Sequence, residues 1–150
     1  MADLITSGFV LLDLAETDRT AVIRLLAERL AAGGRITDLL GFLADVKARE
    51  EQMPTGIEGG IGIPHARSRY VTEPTLGFAR SKSGVDFGAL DGPARLIFLI
   101  AAPTGAGGDH TQILASLARR LIHRSFKDAL LTASDQQAVV DLVNREVLGR

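Results

Sequence analysis

Cysteine is absent from this chain of 150 residues, which excludes disulfides, thiolate metal sites and cysteine nucleophiles and leaves the redox compartment open. An excess of charge of one sign is absent too. Lys and Arg number 17 against 18 Asp and Glu, the formal net charge is −1, and there is no basic run. This balance argues against a general nucleic-acid binder. No apolar run is long: the longest, from Leu96 to Pro103, is too short to cross a bilayer, so no membrane insertion is expected. Asp3 and Asp13 stand where a secretion signal would have a charged and then an apolar segment, so the cytoplasm is the default location. Lysine occurs only at positions 47, 82 and 127, a base-composition bias rather than a functional signal. Also missing are internal repeats, a P-loop pattern, dinucleotide-type glycine spacing, H-E-x-x-H and the G-x-S-x-G elbow. Nucleotide, zinc and α/β-hydrolase chemistry therefore have no support in pattern.

What is present describes one ordinary globular domain over residues 1–150, with 46% apolar and 23% charged residues, long enough to bury a core without staples. Phe9 to Leu14 reads as a strand. Thr17 or Asp18 can cap a helix to about Ala32 with Val22, Leu25, Leu26 and Leu30 inward, stopped by Gly33-Gly34. A second helix is expected from Thr37 to about Glu51, with Leu40, Leu43 and Val46 inward. Residues 55–70, TGIEGGIGIPHARSRY, hold too many glycines for a helix and suggest a short strand at Ile61 and Ile63 entering a loop. Strands follow at Thr75–Ser81, Val85–Phe87 and Arg95–Ala101, the last apolar enough to be central. Asp109 can cap a helix carrying Ile113, Leu114, Leu117 and Leu121. A short helix is expected from Ser125, and a last one is opened by Ser134 and Gln137 with Val139, Val140, Val143 and Val147 buried. Clustered strands without strict alternation with helices indicate an α+β domain with a mixed sheet.

Of three histidines, His65 is the candidate for chemistry. It follows Pro64 in a glycine-dense segment, where Gly59, Gly60 and Gly62 allow backbone N–H groups to approach an anion. Neutral imidazole is a competent nucleophile near neutral pH. Taken alone, a histidine in a glycine loop is more often a plain backbone hydrogen-bonder. His110 stands in the first turn of an expected helix, where dipole and free N–H groups favour an anion, yet by itself it reads as a surface residue. His123, beside Arg119, Arg120 and Arg124 at a helix end, reads as structural. Arg49 could neutralise an anion by bidentate bonds, while Glu50 and Glu51 read as solvated helix charges.

The run Pro54-Thr-Gly-Ile-Glu-Gly-Gly-Ile-Gly-Ile-Pro-His65 closely resembles the signature of the fructose/mannitol/nitrogen class of phosphotransferase-system (PTS) IIA proteins, whose usual form is near T-G-I-G-N-G-I-A-I-P-H. Glu58 and Gly59 replace Gly-Asn, Gly62 replaces Ala, and Ala66-Arg67 stands where Gly-Lys is frequent; the small-residue character and the final Ile-Pro-His are kept. Residues 42–54 resemble the preceding helix, with Arg49 matching the family arginine. Residues 109–119 resemble the helix bearing the second active-site histidine, here His110. The fructose-specific branch is the nearest in pattern. The resemblance implies a three-layer α/β/α domain with a mixed β-sheet flanked by helices. It implies that the phosphocarrier protein HPr, charged by enzyme I from phosphoenolpyruvate, phosphorylates His65 through Nε2. A cysteine of a IIB component then takes the group for sugar entering through membrane IIC. Arg49 would supply countercharge, His110 a hydrogen bond to His65 or the phosphoryl group, and Gly59, Gly60, Gly62 and Pro64 the phosphate-binding backbone. No cofactor or metal is required. Tyr70, Met53 and residues near Pro103 are candidates for an apolar docking rim. A nitrogen-class regulator that moves no sugar, and an inert adaptor domain, are the competing readings.

Overall fold

The computed structural model describes residues 3–105 and 109–149, without the side chains of 109–111. After a short 3-10 turn at Ser7–Phe9, β1 (Val10–Leu14) leads to α1 (Arg19–Ala32) and α2 (Leu39–Gln52). β2 (Gly56–Ile57), β3 (Ile61–Gly62), β4 (His65–Ser68), β5 (Thr75–Val85) and β6 (Ala94–Pro103) follow, and then α3 (Asp109–Leu121), α4 (Arg124–Thr132) and α5 (Gln136–Glu146). The sheet runs β1-β5-β6-β3-β2, and β4 also pairs with β6. β3 and β4 lie end to end along one side of β6, both parallel to it, at Leu96–Ile97 and Ile100–Pro103. β5 is antiparallel to β6 on the other side. This is the expected α+β domain with a mixed sheet.

β6 shows why the domain has three layers. Its side chains alternate in direction, as a strand requires. Leu96, Phe98 and Ile100 pack with α3, α4 and α5, whereas Ile97, Leu99 and Ala101 pack with α1 and α2. Both faces being covered, the strand has no need of polar residues.

Local chemistry explains where elements begin and where expectation misses. Asp18 caps α1 by accepting from Ala21 N–H at 2.9 Å, and Gly34 takes φ +79° just beyond its end. Leu25, expected inward on α1, is 37% exposed, and Ile23 is buried in its place; on α2, Leu40 is 68% exposed and Phe42 fills the core. In both helices the apolar stripe is wider than one face, so the tertiary partner decides which edge is covered. α2 begins at Leu39 rather than at Thr37: Asp38 caps it, and the Thr37 N–H and hydroxyl donate to the Tyr70 carbonyl. Ser134 does not cap α5; Asp135 does, accepting from Ala138 N–H at 2.8 Å. Of the expected separate strand Val85–Phe87 only Val85 is in a strand, as the last residue of β5. Gly84 at φ +94° and its N–H bond to Ser81 Oγ form an irregularity from which pairing resumes at Val85↔Ala94. Asp109, expected as a cap, is the first residue of α3, and what precedes it in 106–108 lies outside the described residues.

Candidate active site at the edge of the sheet

The His65 segment is held by backbone bonds on both sides of a proline. Ile63 N–H donates to the Thr55 carbonyl at 3.2 Å, and the Pro64 carbonyl accepts from Ile100 N–H at 3.0 Å. Pro64 has no N–H to contribute, so the chain changes partner there and continues as β4, with His65 opposite Ile100. The half-buried imidazole places Nδ1 2.8 Å from the Ile63 carbonyl oxygen. A carbonyl can only accept, so this contact is a hydrogen bond when Nδ1 carries the proton. Nε2 is then the nitrogen with the free lone pair.

His65 lines a cavity of about 410 Å³ that wraps the edge of the sheet. Asp45, Arg49 and Gln52 enter from α2, His65 and Arg67 from β4, and Leu114 from α3. Arg49 is half-buried and donates from Nη1 to the Met53 carbonyl at 2.9 Å, which fastens it to the end of its own helix. Asp45 accepts from Ser68 Oγ at 2.6 Å, joining α2 to β4. Positions 45, 49 and 52 recur at helical spacing and position 67 follows 65 at strand spacing. Those periods are the signal by which Asp45, Gln52 and Arg67, which motif reading passes over, could be found.

Arg49 and His65 are thus brought together. His110 stands in the first turn of α3, one turn before Leu114; its side chain lies outside the described residues. The glycines stand elsewhere. Gly59 and Gly60, at φ +97° and +79°, turn the β2–β3 hairpin, and Gly59 N–H already donates to the Asp91 carboxylate at 3.0 Å. Gly62 lies under Phe87, whose ring would sit 2.7 Å from an added Cβ. Neither these glycines nor Pro64 is among the residues lining the cavity. The hairpin itself uses the special backbone conformations of Gly59 and Gly60, and these glycines support the turn that leads to His65.

Glu50 is a correction. Expected to be solvated, it is 8% exposed. Its carboxylate accepts from Thr55 N–H at 3.3 Å and from Thr55 Oγ1, and pairs with Arg19 at 3.4 Å, so it anchors the head of the glycine segment to α1 and α2. Of the residues expected to form a docking rim, Met53 is 65% exposed, whereas Tyr70 packs closely on Gly41. Beside it, the hydrogen bond from Arg69 to the Tyr70 hydroxyl at 2.7 Å raises the guanidinium above the ordinary arginine range, with the charge of Tyr70 adding to it.

The arrangement is one nucleophilic nitrogen in a half-open cavity with two guanidinium-bearing side chains at its wall, which suits a group that arrives and leaves as an anion. Among the described residues no set of three or more His, Cys, Asp or Glu gathers as metal ligands, and no helix is long and apolar enough to cross a membrane.

Comparison with known families agrees with this chemistry. Residues 3–146 match the family described as "Phosphoenolpyruvate-dependent sugar phosphotransferase system, EIIA 2". The chain is 40% identical over 126 residues to the PTS system fructose-specific EIIA component of Haloferax volcanii, covering 83% of this chain and 82% of that one. It is 35% identical over 146 residues to the fructose-specific EIIABC component of Bacillus subtilis, covering 97% of this chain but only 23% of that protein. The crystal structure of nitrogen regulatory protein IIA-Ntr from Neisseria meningitidis superposes with a TM-score of 0.86 at 27% identity, over 93% of this chain and 96% of that one.

Proposed function

The chain belongs to the type-2 EIIA family of the phosphoenolpyruvate-dependent sugar phosphotransferase system, and from that premise we propose that it carries a phosphoryl group on His65 Nε2 between HPr and a IIB component, for the uptake of fructose. The observation that carries the assignment of the atom is the Nδ1 contact with the Ile63 carbonyl, which leaves Nε2 as the nucleophile facing a cavity shared with Arg49.

In the proposed step Nε2 attacks phosphorus, the Nε2–P bond forms, and the bond between phosphorus and the donor breaks. Nδ1 keeps its proton throughout, and the Ile63 carbonyl steadies the positive charge that builds on the ring. Arg49 offers countercharge to the oxygens of the group in flight. His110 takes the place of the family's second histidine. Pro64 and the turn at Gly59, Gly60 and Gly62 hold the strand that presents the ring. Such transfer needs positioning and electrostatic support rather than covalent help from further groups. The second step reverses the geometry toward a thiolate of IIB. This chain, with no cysteine, requires that thiolate from another domain or protein, and the EIIABC arrangement named for the Bacillus subtilis relative is consistent with that division of labour. A single domain working in the cytoplasm fits the same scheme.

The test is intact-mass spectrometry after incubation with enzyme I, HPr and phosphoenolpyruvate. One acid-labile phosphoryl group on the natural chain and none on His65→Ala is the expected result. No added mass on a folded natural chain, beside a working HPr control, overturns the carrier reading. A second reading, regulation without sugar transport, is favoured by the close superposition on IIA-Ntr. Rapid loss of the phosphoryl group to a fructose-type IIB domain supports transport, and retention in its presence supports regulation.

A further inference from the structure

The charges around the cavity do not balance an incoming phosphoryl group through Arg49 alone. Among the described lining residues the charged groups are Asp45, Arg49 and Arg67. Asp45 offsets one guanidinium, so without Arg67 the wall is neutral. A phosphoryl group brings roughly two negative charges near neutral pH. Arg49 is moreover half-buried and commits one N–H to the Met53 carbonyl.

Arg67 differs in each respect. It is exposed, and no hydrogen bond or ion pair to its guanidinium occurs among the described residues. It stands two positions after His65 on β4, and successive strand residues alternate faces, so both side chains leave the same face. Two strand residues span about 6.6 Å, within the reach of an arginine side chain to a group bonded at the far nitrogen of its neighbour's ring. β4 pairs with β6 alone among the described strands, so its other edge is unpaired beside the cavity. Five coplanar N–H donors on a side chain free to turn suit the changing direction of the phosphoryl oxygens as the group arrives from one partner and departs to another.

From this register and this charge count, and resting on the phosphocarrier reading, we infer that Arg67 is a catalytic residue. Its guanidinium hydrogen-bonds the oxygens of the phosphoryl group on His65 Nε2 and supplies the net positive charge that Asp45 and Arg49 together lack.

The experiment is rapid-quench phosphorylation of the natural chain, Arg67→Gln, Arg67→Lys and, as a charge control remote from the cavity, Arg24→Gln, over a range of phospho-HPr concentrations. The transfer rate at saturating donor is expected to fall about tenfold in Arg67→Gln, as for the loss of one charge-assisted hydrogen bond partly open to water. Half-saturation should move less than twofold, Arg67→Lys should recover part of the rate, and Arg24→Gln should match the natural chain. A natural rate in Arg67→Gln overturns the inference while leaving the carrier reading intact. So does a raised half-saturation with an unchanged saturating rate, which would make Arg67 a docking residue. If the natural chain takes no phosphoryl group, both fail together. Matching circular dichroism and melting temperatures guard against a folding defect.

Discussion

Two halves of one short segment behave in opposite ways. Gly56 to Gly62 is dense in motif residues and forms a hairpin whose glycines face its own packing: Gly62 against Phe87, Gly59 N–H against Asp91. His65 to Ser68 is plain in composition, yet three of its four residues, His65, Ala66 and Arg67, line the cavity. Glycine reports where backbone must turn or approach closely, and that need belongs here to the frame. The chemistry begins after Pro64, where a strand restores regular side-chain alternation and can aim an imidazole and a guanidinium together.

The two halves should therefore fail differently when altered. The largest effect is expected at His65: His65→Ala should fold normally and gain no phosphoryl mass at all. Gly62→Val should come next, through stability. The buried Phe87 ring has no room to yield, so overpacking should cost about 1–3 kcal/mol, read as a lower denaturation midpoint, with His65 still phosphorylated wherever the chain remains folded. Loss of phosphorylation in a fully folded Gly62→Val would place the hairpin in the chemistry as well as the frame. Arg49→Gln should slow phosphorylation by roughly tenfold, comparable to removing one charge-assisted bond, with little change in melting temperature. The smallest effect is expected for Gly59→Ala. Its Cβ meets the flexible end of Lys127, which can move, and the Ile61 side chain at an ordinary 3.8 Å, so the cost is the strain of φ +97°, about 1–2 kcal/mol, with unchanged transfer rates. A large rate loss there would return the phosphate-cradle role to the turn.

Glu50 adds a contrast within α2. Arg49 and Glu50 are neighbours in sequence. One lines the cavity and the other is buried against Thr55 and Arg19. Adjacent helical positions differ by about 100° in direction, so α2 serves the site with one face and the packing of α1 with another. Which face receives which residue depends on where α1 lies, and no local pattern reveals that.

Much was legible in the chain itself. The buried stripes of α3 and α5, the stop at Gly33-Gly34, the centrality of β6 and the pairing of Pro64 with a presented His65 all follow from spacing and backbone preference, which act within a few residues. The family signature likewise resides in contiguous residues. Tertiary structure alone decided what depends on contacts distant in sequence: that Leu25 and Leu40 face out, that β5 runs on through Gly84, that Glu50 is buried, that the glycines support rather than line the cavity, and that Asp45 and Arg67 share a wall with His65. The physical reason is that periodicity determines which residues share a face, whereas the packing of one element on another determines what that face meets.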